Sequence, residues 1–179
     1  RALPGRKPQL EPVQVGIKRL VVKAPAKLPY LSMAWKVPVL RDLHKEREPY
    51  ALEMLAAVLD GHEAARFSRN LVRGSKIAVS AGAGYDATVR GEALFVVSGT
   101  PAEGRSVAEL EAALRAEIVR VASEGVSAQE LERVKTQTIA AQVYKRDSMM
   151  AQALEIGRLE AAGIRWRDID TLLDKIRSV

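Results

Sequence analysis

Two short apolar runs close to one another constrain this chain most: Ile77-Ala78-Val79-Ser80-Ala81 and Leu94-Phe95-Val96-Val97-Ser98-Gly99. Rich in β-branched and aromatic residues and separated by turn-forming residues, they read as two paired antiparallel strands. The link Asp86 to Gly91 is long enough for a loose turn between them. Upstream, Leu31, Met33, Trp35 and Val37 alternate with Ser32, Ala34 and Lys36, the period of a half-buried strand, which Pro38 ends. Ile17 to Lys23 reads as one further strand.

Helical signals surround these strands. Pro49 suits a first helical turn, and Leu52, Leu55 and Leu59 recur at helical spacing before Asp60-Gly61, read as a left-handed glycine stop. A short basic helix spans Arg66 to Val72. Ser106-x-x-Glu109 and Ser127-x-x-Glu130 are capping-box patterns, in which a hydroxyl accepts an early N–H and a carboxylate reaches back. The first opens a helix to about Ser123. The second opens a long helical stretch to about Ala162, with Ile139, Val143, Met150 and Leu154 on one face and a kink expected near Asp147-Ser148 or Gly157. Gly163 ends it, and Trp166 to Val179 reads as a last helix. Hairpin-linked strands with helices between and after them predict an α+β fold, an antiparallel sheet with helices packed on one face.

Residues 1 to 16, with Pro4, Pro8 and Pro12, read as an interdomain linker, and 17 to 179 as a single domain, long enough for a real core. The absence of cysteine excludes disulfides, thiolate metal sites and a cysteine nucleophile. A net charge of +6 would suit an acidic partner, but the aromatic content is 4% and the basic residues alternate with acidic ones, so nucleic acid is not expected. No apolar run is long enough to span a membrane.

The chemistry-bearing residues are few. His62-Glu63-Ala64-Ala65-Arg66 begins like a zinc signature, but Arg66 stands where a second ligand would be needed, and a guanidinium stays protonated. His62 and His44 read as solvated turn residues. No serine sits in a Gly-x-Ser-x-Gly elbow, and Gly82-Ala83-Gly84 lacks the Gly-Lys-Ser/Thr of a phosphate loop and reads as a flexible or bulged strand end. Neither catalytic nor metal-ligating residues are therefore assigned. Arg66, Arg69 and Arg73 are spaced three and four apart, which on an α-helix puts all three on one face. They are the candidate substrate-binding residues, as a basic patch for acidic or carboxylate groups of a peptide; the competing reading is a solvated helix face above Phe67 and Leu71.

The order helix, glycine, Ala65-Arg66-Phe67 and hairpin, with Tyr30 to Val37, Pro101 to Gly104 and Gly125-Val126-Ser127 followed by Glu130-Leu131, resembles the second, non-metal-binding domain of insulinase/pitrilysin-type zinc metallopeptidases, the group of mitochondrial processing peptidase. The resemblance implies the C-terminal half of a larger parent, one wall of a peptide-enclosing chamber, with zinc held by the parent's N-terminal domain and no cofactor in this chain. It implies a zinc-dependent endopeptidase as the parent, a peptide as substrate, and a periplasmic or secreted location. It also implies a final helix and strand that this sequence lacks. Active members carry an Arg and a Tyr seven residues apart in this domain. Val72 and Val79 stand in those places, and no tyrosine here has an arginine seven residues before it. That departure has two readings: a second subunit carries the Arg/Tyr pair, or the parent is a catalytically inactive relative kept for structure and assembly, like the core subunits of the respiratory bc1 complex.

Overall fold

The computed structural model describes residues 12–179. Among them three strands, β1 (Leu31–Val37), β2 (Ala78–Gly84) and β3 (Ala93–Pro101), form an antiparallel sheet in the order β1-β3-β2. The hairpin expected from the two apolar runs is the β2–β3 pair, and the alternating run Leu31 to Val37 pairs along the other side of β3, with Met33 opposite Val97 and Trp35 opposite Phe95. The α+β fold class expected from the sequence is the one found. The sheet is accompanied by the helices α1 (Glu48–Asp60), α2 (Val107–Glu124), α3 (Ala128–Lys145), α4 (Met149–Ala162) and α5 (Ile169–Arg177).

Two cores sit on opposite sides of α1. One joins the inner sheet face to the helices: Met33, Phe95 and Val97 meet Leu59, Phe67, Leu71, Leu110 and Leu114. The other packs Tyr50, Met54 and Val58 of α1 against Val134 of α3, Leu159 of α4 and Ile176 of α5. Helix α1 is thus a middle layer, apolar on both sides.

Several local expectations are corrected. Ile17 to Lys23 forms no strand: a strand exists only through a neighbour's hydrogen bonds, and among the described residues this segment has no ladder partner. Its side chains Ile17, Leu20, Val21 and Val22 are exposed, and Arg19 ties it to Glu111 on α2 at 2.7 Å. The part of the expected linker at residues 1–11 lies outside the described residues. Gly61 ends α1 with φ −71°, not in the left-handed region; a Cβ there would lie 2.5 Å from the Ala57 carbonyl oxygen, so close approach, rather than positive φ, favours glycine. Gly163 is left-handed as expected, φ +86°. Gly82-Ala83-Gly84 is a paired strand end, and the irregularity in β2 falls at the other end, between Ala78 and Ser80.

The long helical stretch is two helices. Arg146 to Ser148 breaks it, and the Ser148 hydroxyl caps α4 by accepting from the Ala151 N–H. Because the break redirects α4, the apolar face expected to be continuous is not: Ile139 packs against the core while Val143, Met150 and Leu154 are exposed, and Leu159 supplies the buried contact of α4. The first capping box is complete at Ser106 and Glu109. At Ser127 only the hydroxyl half forms, because the Glu130 carboxylate is engaged elsewhere.

Candidate functional site

The segment between α1 and β2 carries the three arginines. It begins as one α-helical turn at Arg66-Phe67 and continues as a π-helix over Ser68–Gly74, closed by the Ser75 N–H and hydroxyl, which both donate to the Asn70 carbonyl. Hydrogen bonds to the fifth residue back widen the coil, so each residue turns less about the axis than in an α-helix. The single face expected for Arg66, Arg69 and Arg73 is therefore lost. Arg66 turns inward and is 8% exposed, whereas Arg69 and Arg73 stay on the surface.

Arg66 closes a junction between three elements. Its Nε and Nη2 donate to the two Glu130 carboxylate oxygens at 3.0 and 2.7 Å, and Nη2 also donates to the Gly125 carbonyl at 3.0 Å. Glu130 lies in the first turn of α3, and Gly125, φ +74°, ends α2. The fork thus holds the π-helical segment to the α2–α3 connection, a bidentate geometry that a lysine cannot reproduce. Asn70 adds a second link, its amide donating to the buried Glu117 carboxylate of α2 at 2.8 Å. Arg73 donates to the Glu63 carbonyl, and Arg69 to the Asn70 side chain. Nothing in the sequence separates the Glu130 that caps a helix from the Glu130 that grips Arg66; only the approach of residues 64 positions apart does so.

The Arg66 side chain holds the Glu130 carboxyl below its ordinary pKa, by hydrogen bonding first and by charge second, with partial burial opposing. The unfolded chain therefore takes up this proton at a higher pH than the folded one. The pair's stabilisation is complete above the usual carboxylate range and is lost as pH falls through Glu130's lowered folded pKa. Comparing urea midpoints of the wild-type chain and Glu130→Gln from pH 7 to pH 3 checks this. The wild-type advantage should shrink with acid; an advantage that grows would reverse the sign. Asp60 and Glu53 run the other way, since burial raises both.

The two histidines do not form a metal centre. His62 Nδ1 accepts the Ala64 N–H at 3.0 Å, a turn-closing role, and His44 is exposed. Among the described residues no three His, Cys, Asp or Glu side chains are grouped to hold a metal ion. The zinc of a metallopeptidase does not fit this donor set. Val72 is half-buried on the π-helix and Val79 is exposed beside the β2 irregularity, two apolar side chains without proton-transfer or oxyanion-binding capacity.

A protein-family model described as the Peptidase M16 inactive domain matches residues 2–138. The chain belongs to the M16 inactive-domain family. Solved structures share the fold at low identity. A protease from Helicobacter pylori superposes with a TM-score of 0.78 at 15% identity, over 88% of this chain and 37% of that one. The inactive peptidase domain of a candidate zinc protease from Bordetella parapertussis gives 0.71 at 17% identity, over 89% and 84%. An M16 inactive domain from Pseudomonas fluorescens gives 0.66 at 12%, over 84% and 34%. No curated protein matches by sequence. This M16 domain thus spans about a third of the Helicobacter and Pseudomonas chains and most of the Bordetella one. No helix among the described residues is long and apolar enough to cross a membrane.

Proposed function

We propose that this M16 inactive domain is a non-catalytic wall of the chamber of a larger zinc metallopeptidase, enclosing peptide while a separate zinc-bearing domain hydrolyses it. The observation that carries this reading is membership of the inactive-domain family, together with the lack, among the described residues, of a donor group able to hold zinc. The domain's contribution is then shape: a three-stranded sheet stiffened by α1 and α2 and fastened at Arg66. Arg69 and Arg73 are the exposed basic groups able to meet acidic or carboxylate groups of a peptide, and Arg66 sets the segment that presents them. The parent, in this reading, is exported to the periplasm or secreted.

The valines at 72 and 79 support a second reading, a structural or assembly domain of an inactive relative, unless a second subunit supplies the Arg/Tyr pair. Peptide hydrolysis separates the two. The chain alone should hold no stoichiometric zinc and cleave nothing. Added to the zinc-bearing domain of its parent, with and without a subunit carrying the pair, it should raise kcat/KM. Stoichiometric zinc on the isolated chain, or unaided cleavage, would overturn both readings; cleavage by the zinc domain that ignores this chain would leave the assembly role.

A further inference from the structure

On the side of α1 away from the sheet, a cavity of about 340 Å³ opens between α1, the loop after β2, and helices α3, α4 and α5. That volume is at the lower end for small-molecule sites, enough for a ligand of amino-acid size. Its apolar wall includes Leu40, Leu159, Leu173 and Ile176, all buried. Charged groups of both signs stand on the same wall, and three of them, Asp86, Arg146 and Arg158, are engaged in ion pairs. Arg158 pairs with Asp86 and also donates to Thr88, and Arg146 pairs with Asp170.

Two groups differ. Glu53, half-buried on α1, has neither a hydrogen bond nor an ion pair from its side chain among the described residues. Lys145, at the end of α3, is near enough to Glu53 to favour its ionised form, yet spends one donor on Gln142 and is not in contact with the carboxylate. Burial pushes the Glu53 carboxyl up, with nearby Asp86 adding to the rise and Lys145 opposing it. A carboxylate in this state gains most from a donor that brings its own positive charge.

A simple cation brought to Glu53 would face Lys145, and a simple anion brought to Lys145 would face Glu53 and Asp86. A zwitterion answers both. We infer that this cavity binds a free α-amino acid with an apolar side chain, its ammonium on Glu53, its carboxylate on Lys145, and its side chain against Leu40, Leu159, Leu173 and Ile176. This site uses none of the residues assigned to peptide handling and stands or falls independently of the chamber role.

The probe is L-leucine, titrated into the isotopically labelled 179-residue chain and followed by amide NMR. A ligand of this size in a formed pocket should saturate with a Kd of about 1 mM. Shifts should centre on Glu53, Ala87, Lys145 and Leu159. Leucinamide, lacking the carboxylate, and 4-methylpentanoate, lacking the ammonium, should each bind at least about tenfold more weakly. Glu53→Gln should weaken leucine by a similar factor with an unchanged circular dichroism spectrum. Leucine without effect at about 20 mM, or either analogue binding as well as leucine, would overturn the inference. The analogues decide it on the wild-type chain even if the variant fails to fold.

Discussion

Replacing Phe67 with alanine is expected to cost about 4 kcal/mol of folding stability. Phe67 is fully buried where the π-helical segment, α1, α2 and the sheet meet, in the cluster with Leu59, Leu71, Phe95, Leu110 and Leu114. Removing the ring takes away its transfer free energy and leaves a cavity that two helices and a sheet cannot collapse to fill. For a chain of this length the melting temperature should fall by roughly 8–16 °C, read by circular dichroism. A fall under about 3 °C would mean that the ring is not at the centre of this junction.

One residue earlier, Arg66→Ala should cost about 3 kcal/mol for a different reason. The substitution leaves the Glu130 carboxylate, whose side chain is 14% exposed, without its fork, and the Gly125 carbonyl without a donor. Leaving one charge of a largely buried pair unpartnered is costly, whereas removing both charges in favour of apolar side chains of similar volume is often close to neutral. The double substitution Arg66→Met with Glu130→Leu should therefore recover most of the loss. Chemical denaturation of the wild-type chain, both single variants and the double variant decides it. If the double variant is as unstable as the sum of the singles, the two side chains do not act as a pair.

Neighbours in sequence, Phe67 and Arg66 differ in how far their roles can be read from the sequence. A phenylalanine flanked by Leu71 at helical spacing already reads as the packed side of a short helix. Arg66 reads as one of three basic residues on a single helix face, a candidate substrate-binding patch or a solvated surface, because spacings of three and four share a face only on an α-helix. The π winding of Ser68–Gly74 removes that premise, and it is held by tertiary links, Asn70 to Glu117 and Arg66 to Glu130, that no local pattern announces. The same holds for Glu130, whose spacing from Ser127 promises a full capping box. In the structure, a partner from another element outcompetes the local one.

What depends on near neighbours is legible in the sequence: the β2–β3 hairpin, β1, the complete Ser106–Glu109 cap, the Gly163 stop and the α+β class all follow from side-chain period, turn chemistry and reach within a few residues. The residues that resemble a metallopeptidase's second domain are legible as well, and the family match agrees with them. Left to the tertiary structure are the fate of Ile17 to Lys23, which has strand chemistry but no ladder partner among the described residues, the split of α3 from α4, the inward turn of Arg66, and the cavity in which the Glu53 side chain has no hydrogen bond from the described residues. Each of these depends on which distant groups come within hydrogen-bonding or packing distance, and a linear order of residues carries that only once the chain has closed on itself.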